Sequence, residues 1–268
     1  MLIIRQPAVA GAFYPGTKQE LTHDINEMLS GAIADIGYVP PKAMIVPHAG
    51  YIYSGKTAAM AYACLVALRH VIKRVILLGP VHRVPVRGLA LPDVDAFATP
   101  LGEVALDMDA IALLTHVKQV VVSSAVHAEE HSLEVQLPFL QSVLEDFKLV
   151  PLAVGDATPE EVSEVLDILW GGPETLIVVS SDLSHFLSYN LAESVDMQTV
   201  QTILSLESTL SYQQACGGTP INGLIQSALK HHMQPKLLDL CNSGDTSGDK
   251  SRVVGYAALI FVDKPNYD

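Results

Sequence analysis

Short apolar runs alternate with helix-patterned segments along nearly the whole sequence, and this alternation restricts the chain more than any other feature. The runs are Ala43 to Val46, Val75 to Leu78, Val120 to Val122, Leu149 to Val154, Leu176 to Val179 and Val253 to Val262. Between them, helical patterns cover Lys18 to Leu29, Gly55 to Leu68, Ser132 to Phe147, Pro159 to Leu169, Leu191 to Ser205 and Pro220 to His231. Strands that alternate with helices build a mainly parallel sheet, because right-handed crossovers lay helices on both faces. Near-continuous Val/Ile/Leu runs fit strands buried on both sides. The expectation is an α/β fold with a central, mostly parallel mixed sheet flanked by helices, its last strand antiparallel to a neighbour. No Pro/Ser-rich linker or repeat divides residues 1–268, which therefore read as a single domain.

Three of the runs end alike. Met44 to Gly50 delivers His48, Val75 to His82 delivers His82, and Ile177 to His185 delivers Asp182 and His185. Ligands of open α/β sheets bind outside the carboxyl ends of the strands, so these ends can converge on one crevice. A single histidine after a strand is ordinarily a loop residue satisfied by backbone; three together argue for a shared site. Neutral imidazole is the commonest metal-binding side chain, and Gly50 and Gly79 beside two of the histidines are expected to permit backbone conformations that a Cβ would obstruct.

Two further patches bear on chemistry. His127 to Ser132 reads as a helix start, with Ser132 as cap and Glu129 and Glu130 favoured by the helix dipole; His131 has no such explanation. Cys216-Gly217-Gly218-Thr219-Pro220 precedes a helix whose first turn suits Pro220, a setting expected to lower the thiol pKa. Cys64 reads as an inert core thiol. Three cysteines cannot all pair, and reduced thiols are expected. The polar loop Ser243 to Lys250 lacks the ending of a P-loop and reads as a solvated turn.

Charge narrows the partners. A net charge of -13 repels a phosphate backbone, and no Lys/Arg cluster compensates locally, so nucleic acid is excluded as a partner. No apolar run approaches the ~18 residues that span a bilayer, and no basic-then-apolar leader opens the chain, so a cytoplasmic protein is expected.

Taken together, Val46-Pro47-His48-Ala49-Gly50-Tyr51, Leu78-Gly79-Pro80-Val81-His82, Glu130-His131-Ser132-Leu133-Glu134, Ser180-Ser181-Asp182 and Cys216-Gly217 resemble the Memo family. Its prokaryotic members are called AmmeMemoRadiSam system protein B. The likeness runs from Ala10-Gly11-Ala12-Phe13-Tyr14 to Tyr256-Ala257-Ala258. It implies a fold similar to class III extradiol ring-cleaving dioxygenases and one metal ion, iron or copper in preference to zinc, on His48, His82 and Cys216. It further implies that Asp182, His185 and His131 line the cleft, with His185 handling protons, and that the protein is linked functionally to radical-SAM and AMMECR-type proteins.

A thiolate in place of the carboxylate of a facial triad changes metal preference and redox potential, so ring cleavage does not transfer with the fold. Three functions compete. The first is a metal-dependent redox enzyme acting on a small molecule. The second is a non-catalytic module that binds a peptide or protein in the same cleft, which requires Arg83, Arg87 or Arg252 to reach the pocket if the ligand is phosphorylated. The third is a zinc-type hydrolase; Ser180, Ser181 and Ser184 lack the Gly-x-Ser-x-Gly elbow of a serine hydrolase.

Overall fold

The computed structural model describes residues 2–32 and 40–264; positions 1, 33–39 and 265–268 of the expected domain lie outside the described residues. Its strands are β1 (Ile4–Arg5), β2 (Ala43–Val46), β3 (Arg74–Pro80), β4 (Leu89–Leu91), β5 (Ala96–Thr99), β6 (Gly102–Ala105), β7 (Val120–Val122), β8 (Lys148–Val154), β9 (Thr175–Ser180), β10 (His185–Leu187), β11 (Met233–Asn242) and β12 (Val253–Asp263). At the centre of the main sheet β2, β9, β3 and β8 run parallel side by side. On one flank β12 lies antiparallel to β2 and pairs with β11 and β10; on the other β4 lies antiparallel to β8 and parallel to β7. The expected mixed sheet is present, with its parallel part in the middle and the last strand antiparallel. A small second sheet joins β1, β5 and β6.

The alternation within the central strands shows why both faces are covered. Met44, Val46, Val75, Leu77, Leu176 and Val178 point into one core with the helices Lys18–Gly31, Tyr51–Ala63 and Leu137–Val143. Ala43, Ile45, Ile76, Leu78, Ile177 and Val179 point into the other, under the helices Pro159–Leu169, Tyr189–Leu204 and Gly218–Lys230. Successive side chains leave a strand on opposite sides, so only continuous apolar runs can fill two cores. No described helix is long and apolar enough to cross a membrane.

The structure departs from the sequence reading at three places. Ser132 to Phe147 is not one helix: a 3₁₀ turn, Glu134–Gln136, precedes a short helix, Leu137–Val143, with Pro138 in its first turn. Ser132 caps nothing; its hydroxyl donates to the carbonyl of Pro80 at 2.8 Å. Strand β11 was not anticipated, because Pro235, Lys236 and Asp239 blur its pattern. It forms through long antiparallel pairing with β12, on whose outer side a proline costs little. The loop from Ser243 opens as a one-turn helix, Ser243–Ser247, capped by the Asn242 side chain.

Behind the end of β9, the turn to β10 is tied down from two sides. Leu183 N–H donates to the Gly255 carbonyl and Gly255 N–H to that of Ser184. Ser184 N–H also donates to Oδ1 of Asp196, a buried carboxyl on the helix Tyr189–Leu204. Burial pushes Asp196 up to about 6, and the bonds from Ser184 offset this only in part. With a folded pKa above its unfolded value, the carboxyl favours the native state when protonated, so stability is lost as pH rises from about 4 through 6. Asp196→Asn is expected to raise stability by about 2 kcal/mol at pH 8 and to bring no gain below pH 4, as read by denaturant melts at both pH values.

Candidate metal centre

Parallel register brings the functional ends together. Val46 of β2 sits opposite Ser180 of β9, and Val179 of β9 pairs with Leu78 of β3, so β9 stands between the strands that lead to His48 and His82. All three leave the sheet at the same edge. His48, His82 and His131 form a group whose ligand atoms all lie within 4.8 Å of one another. His48 meets His82 and His131 edge-on, with ring centroids 5.2 and 5.4 Å away, while His82 and His131 stack at 4.7 Å.

Two of the rings are held through Nδ1. Ser180 Oγ donates its one proton to the Ser132 carbonyl at 2.6 Å and accepts from Gln136 Nε2 at 2.7 Å. The contact from His48 Nδ1 to the same oxygen, at 3.0 Å, therefore has the imidazole as donor. His48 Nε2 is left with its lone pair. His82 Nδ1 lies 2.9 Å from Glu130 Oε1; a carboxylate only accepts, so this ring carries the proton on Nδ1, while His131 Nδ1 lies beside the same oxygen at 3.3 Å. Fixing the tautomer from behind is how proteins present Nε2 to a metal.

Glu130 is the hinge of this arrangement. Besides the His82 ring it accepts the backbone N–H groups of His82, His131 and Ser132. Burial alone would raise its pKa, but the hydrogen bonds from His82 and Ser132 hold it down at about 2. The sequence reading that assigned Glu130 to a helix start is corrected: it is a buried carboxylate that holds the His82 ring and three backbone N–H groups. Arg5 secures its segment, donating from Nε to the His127 carbonyl at 2.8 Å and from Nη2 to that of Glu130 at 2.7 Å. The same guanidinium pairs with buried Glu134 at 2.5 Å, which also accepts Tyr14 Oη at 2.6 Å and the N–H groups of Ala8 and Val9. Sequence reasoning missed Arg5, Gln136 and the orienting role of Ser180; only the Glu130–Glu134 spacing within the family motif hinted at any of them.

Burial, reinforced by mutual repulsion with His131 and His82, pulls His48 well below the ordinary histidine range. Burial likewise lowers His131 to about 4, with Glu130 opposing. Both are neutral at pH 7, as metal ligands must be.

Cys216 lies beside this group and outside it. Its Sγ is 3.3 Å from His48 Nε2, 3.6 Å from the Asp182 carbonyl and 3.9 Å from Ser181 Oγ. Since His48 Nε2 is an acceptor, the thiol is the donor. The expectation of a lowered thiol pKa is overturned: burial, then the charge of Asp182, push Cys216 up to about 12 despite the helix that starts at Gly218. Cys64 and Cys241 are also free thiols, raised to about 11 by burial.

Asp182 receives the backbone N–H of His48 at 2.8 Å, and burial raises it to about 7 against that bond and the one from Ala49. His185 donates from Nδ1 to the Leu183 carbonyl at 2.9 Å; burial lowers its pKa. Neither glycine singled out beside the histidines has a positive φ. Gly79 is needed for space, since a Cβ there would come within 2.9 Å of Ser132 Oγ and 3.0 Å of Leu133.

The histidines open into a cleft of about 660 Å³ that also takes in Asp182, His185, Phe13, Tyr53, Tyr256, Arg83 and Arg252. Arg87 is not among the lining residues; it forms a two-pronged pair with Glu161 at 2.6 and 2.9 Å.

Removing Arg5 would leave Glu134 as an uncompensated buried charge and release two carbonyls. Arg5→Ala is expected to cost about 3–5 kcal/mol in a denaturant melt and to speed amide exchange at His131 and Ser132. Unchanged exchange there would show that Arg5 does not hold the His131 segment.

The chain's sequence relatives fall in one family. The profile of the family described as Memo-like protein matches residues 5–260. A MEMO1 family protein of Ignicoccus hospitalis is 36% identical over 97% of this chain and 99% of its own length. Those of Aquifex aeolicus and Nitrosopumilus maritimus are 35% and 34% identical over 97% of this chain and 99% and 100% of theirs. The chain belongs to the Memo family.

Proposed function

We propose that this protein is a metal-dependent redox enzyme whose single ion, iron or copper, rests on His48 and His82 and draws further ligands from His131 and Cys216. The observation that carries the reading is three imidazoles gathered within 4.8 Å, two of them with Nδ1 tied behind. Imidazole donors suit copper, iron and zinc alike, and a thiol beside them adds a soft donor. His131 completes the group by distance. Cys216 Sγ stands from His48 Nε2 at 3.3 Å, a separation compatible with two ligands of one ion.

A redox-active ion in this position would exchange electrons with, or polarise, a ligand in the cleft. The chain's own residues supply the rest. Ser180 and Glu130 keep the imidazoles in one tautomer and one orientation. His185, with Nδ1–H fixed on a backbone carbonyl, keeps a basic Nε2 with which to accept a proton from a bound ligand. Asp182 fixes the His48 backbone and, with Cys216, closes the inner wall against water.

His48→Ala and His82→Ala are each expected to abolish stoichiometric metal in protein purified anaerobically without affinity nickel, as measured by elemental analysis. Full metal content in His48→Ala would sink the proposal. X-ray absorption of the loaded protein tests the thiol: a sulfur scatterer at about 2.3 Å that vanishes in Cys216→Ser places Cys216 among the ligands, and its absence leaves His131 as the third.

A further inference from the structure

Away from the histidine cleft, the helices Lys18–Gly31 and Tyr51–Ala63 pack side by side and leave a groove along their seam. They approach closely at Gly55, where a Cβ would fall 2.5 Å from Met28 Sδ. One hollow of about 650 Å³ is lined by Asp24, Glu27 and Met28 of the first helix, Ile52 and Lys56 of the second, and Asp245. A second, of about 460 Å³, shares Glu27, Met28 and Lys56 and runs on to Met60 and Asp239. Phe13 and Tyr53 are the two residues that this groove has in common with the cleft, so the two adjoin without coinciding.

Ile52, Lys56 and Met60 recur at four-residue spacing and so share one face of their helix, a strip about 12 Å long. Ile52 is 80% exposed, and Met28 and Met60 are half-buried, which leaves an apolar strip open to solvent. Thioether side chains re-pack readily around a partner. Along the strip stand four carboxylates, Asp24, Glu27, Asp239 and Asp245, against one ammonium, Lys56, for a local balance of -3. Asp239 and Asp245 accept the hydroxyls of Thr57 and Tyr189, each at 2.6 Å, which fixes them without cancelling their charge. Glu27 meets the imidazole of His23 at 3.9 Å, and Asp24 has no partner among the described residues. The carboxylates do not converge on an ion. Among the described residues, His48, His82 and His131 are the one group with three ligand atoms within 4.8 Å of one another. Charges spaced in this way suit cations carried along a chain.

We propose that the groove docks a basic amphipathic segment of another protein, with its apolar side on Ile52, Met28 and Met60 and its lysines or arginines against the four carboxylates. An apolar strip edged by charge of one sign accepts an amphipathic helix, the charges setting encounter rate and register and the strip setting residence time. The net charge of -13 opposes a second copy of this chain as the occupant. The inference goes beyond the redox reading and holds whether or not the histidines take up metal.

Fluorescence anisotropy of a labelled Leu/Lys amphipathic peptide, titrated with the full chain, tests it, with a Leu/Glu peptide of the same pattern and spermidine as comparisons. The Leu/Lys peptide is expected to bind and the Leu/Glu peptide to fail. Asp24→Asn/Glu27→Gln is expected to weaken binding about tenfold and to flatten its salt dependence, and Ile52→Ser to weaken it severalfold at unchanged charge. Lys56→Gln, which removes the lone cation, is expected to tighten it. Glu160→Gln/Glu164→Gln takes the same charge from the helix Pro159–Leu169 on the other face of the sheet and is expected to leave binding unchanged. All these side chains lie at the surface, and denaturant melts check that each variant is folded. No binding of the Leu/Lys peptide, an equal loss in the two double variants, or an affinity indifferent to Ile52→Ser overturns the proposal. Spermidine competing as well as unlabelled peptide would assign the groove to a small polycation, and sedimentation as a dimer that Ile52→Ser dissociates would assign it to a second copy; either overturns the proposal too.

Discussion

A carboxylate taken out of water must find donors for nearly all its lone pairs, and Glu130 does so by organising everything around it. The ring of His82 and three backbone N–H groups converge on its two oxygens, with the His131 ring beside them. Four donors around one buried charge leave little freedom for the segments that supply them, so the loop after β3 and the turn before Leu133 hold one mutual geometry. Arg5 extends the constraint to the N-terminal strand, because its guanidinium binds the carbonyls of His127 and Glu130 while neutralising Glu134. The grouped histidines are thus the outer layer of a buried ionic network that joins the small sheet to the large one.

His48 is positioned by different means. Its ring answers to a hydroxyl, Ser180 Oγ, whose proton is already committed to a carbonyl and whose other lone pair is taken by Gln136. Its backbone answers to Asp182. A neutral network on one side of the site and a charged one on the other reach the same end, imidazoles anchored through Nδ1. They do so at different depth: His48 is 2% exposed, whereas the His82 side chain retains 20%. Access from the cleft therefore comes past His82, Arg83 and His185.

Cys216 shows how burial can outweigh a helix terminus. The helix from Gly218 offers a favourable dipole, but the thiol is sealed between Asp182, Ser181 and His48, and desolvation with a neighbouring carboxyl dominates. A thiol in that state is a hydrogen-bond donor to His48 Nε2. Any ion that recruits the sulfur must displace that proton, so metal capture at Cys216 and proton release are coupled.

Sequence by itself determined the layered α/β fold, because continuous apolar runs can only be strands buried on two faces. It also pointed to His48, His82 and His185 at one crevice, because ends of parallel strands at one sheet edge lie close however far apart they are in the chain. The ring of His131 could be suspected from the absence of any local role, and the family likeness drew attention to Cys216. What only the tertiary structure decided are the relations between side chains that no local pattern encodes. These include Glu130 as a buried hinge in place of a helix-start residue, Ser180 and Gln136 as keepers of a tautomer, and Arg5 reaching across 125 positions to the Glu130 carbonyl. The grouping of His131, and not Cys216, with His48 and His82 by distance was settled in the same way. Propensity and periodicity report which face of an element is buried; which polar atom meets which depends on strand register and on desolvation, and those exist only once the chain has closed on itself.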